Sequence, residues 1–371
     1  MIQTRRRINM GQAALLLLLM AVLILALGGC DRGQADRVPD DTNRQETHMI
    51  VDSVGREVEV PVDPQRIACL CPEAGYALAL YGQGDRIVAT SGGMQRDRLL
   101  VEMYPHLKGL PIPKKNEVIN AEELLRAGAQ LVFVKRDSVT NKAEMDKLKK
   151  LKIPVVAMHY ESMEEQQYAM QMVAEIVGCE EEGQKYLDFY RETVREVQQR
   201  TAEIKENERV SIYHSASEAT RTDVADSLAG DWTKAAGVIN VSTEAELNFE
   251  DGNNYASLEQ ILLWDPDYIL ANDPNVVGYI MEHEQWRALK AVKNKRVLPL
   301  PIGISRWGHT SSLETPLAVL WTAKLAYPEQ FEDWDMEETV RMFYKEFFDW
   351  ELEDETITKI LSGSGMRDAK S

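Results

Sequence analysis

The sequence is poor in the groups that carry most recognisable protein chemistry. It has 4 cysteines and 6 histidines in 371 residues. So few cysteines cannot build a disulfide-dependent scaffold in a chain this long, and no loop gathers the histidines. Basic side chains are outnumbered, 42 to 60, leaving a formal charge of -18. Without a positive excess the chain is no general nucleic-acid binder, because little is left to neutralise phosphates. Catalytic signatures are missing as well. There is no G-x-S-x-G elbow and no Walker loop, and His283-Glu284-Gln285-Trp286-Arg287 breaks the H-E-x-x-H zinc pattern at its last position. Gly82-Gln83-Gly84 begins a dinucleotide-like run without its third glycine. An enzyme is the remote alternative; turnover of a ligand by the purified protein would revive it.

Long apolar runs are scarce too, with one exception. Arg5, Arg6 and Arg7 precede an unbroken apolar run from Ala13 to Leu27. Its 15 residues fall short of the roughly 20 that span a bilayer, so the segment reads as an export signal. The ending Leu27-Gly28-Gly29-Cys30 resembles the lipobox of bacterial lipoproteins. That resemblance implies a cleaved signal over 1–29 and a lipidated Cys30 as the first mature residue. Asp31 then hints at retention in the inner membrane of a two-membraned cell. An uncleaved anchor is the alternative, and both put the body outside the cytoplasm. Loss of three arginines and no acid takes the charge from -18 to -21 over 342 residues. Residues 30–48 are almost wholly polar and read as a tether, with a reach of roughly 25 Å.

The body, from Met49, alternates strand and helix patterns. Val51 to Val60 reads as a hairpin about Gly55-Arg56. Short apolar strands are expected at Arg66 to Cys71, Arg86 to Thr90, Leu131 to Val134 and Val155 to Met158, with helices between them. This alternation predicts a parallel sheet covered on both faces, an α/β lobe over 49–160. Residues 161–206 lack strand formers. Tyr186, Phe189, Tyr190, Val194, Val197, Thr201 and Ile204 fall on one helical face, predicting a strut from about Glu181 to Lys205. A second α/β series follows over 207–331, with strands at Arg209 to Tyr213, Val238 to Val241, Tyr268 to Ala271 and Arg296 to Leu300. Residues 332–371 hold a terminal helix capped by Asp335, and a tail. The fold class is therefore α/β: two Rossmann-like α/β lobes joined by a long interdomain helix, with a ligand cleft between the lobes.

Two segments repeat at an offset of 137 residues: NAEELLRAGAQLVFV from Asn120 to Val134, and SLEQILLWDPDYILA from Ser257 to Ala271. Asn120 and Ser257 are N-caps, and Glu123 and Gln260 would complete capping boxes. Glu122 and Glu259 occupy the second helical position, which the box does not need; the helix dipole alone favours an acid there. This repeat, the lipoprotein signal and the strut resemble the substrate-binding proteins of ABC importers, in the branch serving cobalamin, ferric siderophores, haem and related metal chelates. Further matching stretches are DSVGREVEVP at Asp52–Pro61, PQRI at Pro64–Ile67, AVLWTAKLAYPEQF at Ala318–Phe331 and FYKEF at Phe343–Phe347. The resemblance covers about 49–361. It implies a monomeric receptor without a cofactor, which binds a metal chelate and delivers it to an ABC permease and its ATPase. In that family one glutamate per lobe docks on permease arginines, here Glu122 and Glu259.

Ligands of open α/β sheets gather beyond the carboxyl ends of the strands. The loops there offer Cys71, Gly92, Gly93, Met94, Arg136, His159 and Tyr160 on the first lobe. The second lobe offers His214, Arg221 and the Gly303–His309 loop, in which Arg306, Trp307 and His309 sit together. Arginine pairs with carboxylates or phosphates, and an indole can face a large ring. Trp307 either faces the cleft or packs in the core; Arg306 either binds or is a surface cation. His159, His214 and His309 could instead converge on a bare metal ion. Cys69 and Cys71 share a strand face, and core packing is the alternative to a binding role for them.

Overall fold

The computed structural model describes residues 46–116 and 118–369. The export signal, Cys30 and most of the tether lie outside the described residues. Thr47–Val51 and Glu57–Pro61 pair as an antiparallel hairpin, so regular structure begins just before the expected end of the tether at His48. Asp52, fully shielded, closes this hairpin. Its carboxylate accepts from the Arg56 amide (2.9 Å) and guanidinium (2.6 Å), and from the Ala157 amide (3.1 Å).

Each lobe holds a four-stranded parallel sheet, and the two sheets share one strand order. In the first, Ile87–Ala89, Ile67–Cys69, Leu131–Lys135 and Val155–Met158 lie side by side. In the second the order is Ile239–Asn240, Ser211–Ser215, Tyr268–Ala271 and Val297–Pro299. These strands follow the expected apolar runs closely. Missing from the sequence-based expectation is a small antiparallel sheet of Arg221–Thr222, Asn253–Tyr255 and Asn248–Glu250. Its hairpin turns at Asp251 and Gly252, both with positive φ (48° and 76°), the conformation that an Asp-Gly pair favours.

Side chains alternate between two cores, as strand geometry requires. Ile67, Cys69, Leu131 and Phe133 enter a large central core, whereas Ala68, Leu70, Val132 and Val134 line a separate outer one. Likewise Ile212 and Leu270 face the central core, and Tyr213 and Ile269 face an outer core. The central core is therefore common to both lobes. Running through it is the strut helix Glu180–Thr201, about 33 Å long at 1.5 Å per residue. Tyr186, Leu187, Tyr190, Thr193 and Val197 form its buried face. Gly178 ends the preceding helix, Met163–Val177, in the left-handed conformation (φ 71°). The strut stops four residues before Lys205, where Thr201 Oγ1 bonds back to the Val197 carbonyl (3.0 Å). Asp335 caps the helix Met336–Phe348 through the Glu337 and Glu338 amides.

Candidate functional site

In each sheet the chain first adds a strand on one side and then crosses to the other. The reversal falls between Ile67–Cys69 and Leu131–Lys135 in the first lobe, and between Ser211–Ser215 and Tyr268–Ala271 in the second. Crevices open at the carboxyl ends of such strands. At the first, Lys135 Nζ lies 3.4 Å from Glu73 Oε1. Glu73 is buried at the start of the helix Pro72–Leu80, and Ser311 Oγ of the second lobe donates to the same oxygen at 3.0 Å. The two lobes thus touch through one carboxylate. Around it opens a cavity of about 610 Å³ with walls of mixed charge, lined by Glu73, Lys135, Arg136, Asp137, Tyr160 and Glu161 of one lobe and by Arg221, Asp223, Asp226 and Thr310 of the other.

On the second lobe the Gly303–His309 loop is fastened from behind by Glu314. This fully buried carboxylate accepts from the Ser305 amide (2.9 Å) and hydroxyl (2.7 Å), and from the Tyr344 hydroxyl. Arg306 Nη2 then reaches His309 Nε2 at 2.6 Å, while the Ser311 amide donates to Nδ1 at 3.1 Å. A neutral ring has one acceptor nitrogen and so accepts from one of these two donors, whereas a protonated ring could accept from neither. Burial, then Arg306, Lys135, Arg221 and His214, push the His309 pKa well below the ordinary histidine value. Burial also lowers the Arg306 pKa; Tyr76 and Asp273 oppose the shift, and Arg96 and Arg221 add to it. Among the described residues, Arg96, Arg221 and Arg306 have no carboxylate partner. Arg96 makes only a 3.4 Å contact to the Gly92 carbonyl, and Arg306 only the contact to His309.

Several expected site residues occupy other roles. Trp307 is 0% exposed and packs in the central core, so its ring presents no face to the cleft. Met94 is equally buried; its sulfur accepts from Thr90 Oγ1 at 3.1 Å and its tip presses on Gly75. Cys71 is a buried thiol, raised in pKa by burial and then by Glu73, so it stays protonated. Gly92 and Gly93 sit in the loop beside Arg96, with Gly92 exposed. Arg136 is exposed on the cavity wall, 3.5 Å from Glu161. Tyr160 lines the cavity, its hydroxyl 3.5 Å from the Ser312 carbonyl. His214 is buried, paired through Nδ1 with Asp223 at 2.6 Å, with Nε2 unpartnered. His159 lines the cavity, with Nε2 3.4 Å from Glu161. Among the described residues no three His, Cys, Asp or Glu side chains are grouped to hold a metal ion. Sequence reasoning missed Glu73 and Arg96 altogether.

Glu122 and Glu259 are exposed at the second positions of the helices Ala121–Arg126 and Leu258–Trp264. The capping box is complete at Ser257–Gln260. At Asn120 only half of it forms: the side chain accepts from the Glu123 amide (3.2 Å), but the Asn120 amide donates to the Pro113 carbonyl (2.9 Å) instead of to Glu123.

The sequence profile of the periplasmic binding protein family matches residues 67–302, well over half of the chain. The chain belongs to that family. Its members are the solute-binding proteins of ABC importers, located outside the cytoplasm, and no helix among the described residues is long and apolar enough to cross a membrane. The molybdate-binding protein MolA of Haemophilus influenzae is 24% identical over 327 residues, covering 81% of this chain and 90% of its own. The structure of MolA bound to molybdate superposes with a TM-score of 0.74 at 22% identity, over 82% of this chain and 99% of that one. Helicobacter pylori CeuE, solved with nickel and histidine, gives 0.69 at 21% identity, over 85% and 99%. These relatives share the two-lobed α/β architecture described above.

Proposed function

We propose that this binding protein is a lipid-anchored receptor that captures an anionic metal species, a chelate or an oxyanion, and hands it to an ABC permease and its ATPase. The observation that supports this most directly is the grouping of Arg96 of one lobe with Arg221 and Arg306 of the other, none of them in an ion pair among the described residues, although Asp273 acts on Arg306 from nearby. Like charges held near one another without ion-pair partners repel, and a bound anion offsets that repulsion through charge-assisted hydrogen bonds. Of the chelates implied by the family resemblance, ferric carboxylates and haem, with its propionates, meet this charge rule. So does the molybdate named for MolA. Of the three arginines, Arg221 lines the cavity of about 610 Å³, where Lys135 and Arg136 stand beside Asp137, Glu161, Asp223 and Asp226.

Isothermal titration of the purified protein with molybdate, ferric citrate, haemin and cyanocobalamin tests the reading. One-to-one binding of an anionic member, weakened by salt, is expected. Selective binding of cyanocobalamin would overturn it. The anchor is tested separately: Cys30→Ser should move the protein from the membrane fraction to the soluble fraction.

A further inference from the structure

The C-terminal tail leaves the second lobe and returns to the first. It starts from the helix Asp354–Leu361, whose Ile360 carbonyl accepts from the Ile302 amide at 3.0 Å. Gly363 then turns with φ 63° directly against Leu300 and Pro299, where a side chain would strike the Leu300 carbonyl. From there the chain crosses to the 96–98 segment of the first lobe. The Arg98 amide donates to the Met366 carbonyl (3.0 Å), and the Asp368 amide donates to the Arg96 carbonyl (2.8 Å). Arg98 Nε pairs with Asp368 Oδ1 at 2.6 Å, and Arg98 Nη1 donates to the Gly365 carbonyl at 2.9 Å. Met366 is buried in the central core.

At the middle of this crossing sits Arg367, 15% exposed in its side chain, paired with the wholly buried carboxylate of Asp97. Tyr76 donates to the other oxygen of Asp97 at 2.5 Å. Arg367 of the tail and Arg306 of the second lobe both act electrostatically on the Tyr76 phenol of the first lobe. Arg367 Nη2 stands 3.6 Å from where a Cβ on Gly93 would be, at the mouth of the loop that carries Arg96. Asp97 engages one edge of Arg367 and leaves the other edge beside Gly93 and Arg96.

We infer that the C-terminal tail is a strap between the lobes that carries Arg367 into the ligand site as a fourth guanidinium, positioned by Asp97 for contact with the bound anion. This rests on the anionic-ligand reading and adds a residue that no strand-end loop supplies. Arg367 approaches along the tail, far along the sequence from the 92–98 segment against which it packs, and the buried Asp97 fixes its orientation. Only the solvent-facing edge is then free for the ligand.

Removing Arg367 alone strands the buried Asp97 and risks misfolding, so the test is the neutral pair Asp97→Asn with Arg367→Gln, beside Arg367→Lys and Arg306→Ala. Each is titrated with molybdate, ferric citrate and haemin in the full chain, and melting confirms the fold. One charge-assisted contact corresponds to about 10- to 100-fold in affinity. The neutral pair should lose that much while still melting cooperatively, and Arg367→Lys should recover part of it. Unchanged affinity in the neutral pair, with Arg306→Ala weakened, overturns the role of Arg367 alone. Equal losses with Lys and with the neutral pair overturn the charge role. If the wild type binds none of the three anions, the anionic-ligand reading falls and Arg367 falls with it.

Discussion

Arg306 and His309 meet at 2.6 Å between Nη2 and Nε2, three residues apart on one loop. Neither can give way, because Glu314 pins the loop at Ser305 and the Ser311 amide holds Nδ1. The imidazole is surrounded by Arg306, Lys135, Arg221 and His214, and it is neutral in the folded protein. In the unfolded chain the same ring protonates near pH 6.5. Its folded pKa is depressed, so the unfolded state takes up the proton first as pH falls. Stability should therefore hold above pH 6.5 and decline below it, by at most about 1.4 kcal/mol per pH unit from this group. Melting curves between pH 7.5 and 5 check this: His309→Gln should flatten the decline. An identical slope in wild type and variant would mean that other groups set it.

Trp307 and Arg306 are neighbours with opposite expected consequences. Arg306→Ala and Arg221→Ala each remove a guanidinium that lacks a carboxylate partner, so each should weaken anion binding about tenfold or more and leave melting nearly unchanged. Trp307→Ala opens a cavity in the shared core and should cost about 3–5 kcal/mol of stability. Parallel titration and denaturation separate the two classes. A stable Trp307→Ala protein with lost affinity would return the indole to the cleft.

That contrast shows how far the residues alone reach. Strands such as Val155–Met158 and Tyr268–Ala271 are legible because unbroken apolar runs of four or five residues have few other places to go. The strut is legible from the spacing of Tyr186, Tyr190 and Val197. The switch-point rule directs attention to the loops at the carboxyl ends of the strands, and Arg221 and Arg306 are candidates because of it. Within a loop, however, no period says which side chain turns inward, so Trp307 and Met94 look as available as Arg306 until the chain is folded. Arg96 and Arg367 are harder still. Their placement depends on a tail that folds back onto the first lobe through contacts such as Arg98–Asp368. The Asp251-Gly252 turn was readable, but the three short strands around it are too brief to show a period.

Gly303 is held where no side chain fits: a Cβ would strike Glu314 and the Tyr344 hydroxyl. Both groups are the anchors of the loop. Gly303→Ala should therefore displace Ser305 and Arg306 together, lowering the melting temperature and weakening anion binding at once. Glu314→Gln keeps the shape and most of the hydrogen bonds, and it should be far milder in both measurements. If Gly303→Ala binds and melts like the wild type, the loop is not fixed from behind.

A core shared by both lobes limits how far they separate. Ile67 and Phe133 of the first sheet and Ile212 and Leu270 of the second lie in the same buried cluster as Tyr186 and Tyr190 of the strut. Wide opening would expose these side chains, at about 25 cal/mol for each Å² of apolar surface. Ligand binding should therefore change the radius of gyration very little, which small-angle scattering with and without a bound anion measures directly. A large compaction would require the shared core to open in the free protein.

Glu122 and Glu259 are both exposed, one on each lobe, at equivalent positions of a repeated helix. Each helix precedes and runs antiparallel to a central strand of its sheet, so its N-terminus lies on the carboxyl-end side, the face on which the cleft opens. A partner reading both carboxylates at once would cover that cleft. Because neither glutamate lines the cavity around Glu73 and Lys135, docking and ligand capture separate cleanly. The double variant Glu122→Ala with Glu259→Ala should abolish uptake in cells while leaving anion affinity within about twofold, since surface substitutions away from a site change free energies by only about 0.5 kcal/mol. Single variants should retain part of the uptake, because one lobe still engages. An equal fall in affinity would place the glutamates in ligand binding, and undiminished uptake in the double variant would remove them from the permease interface.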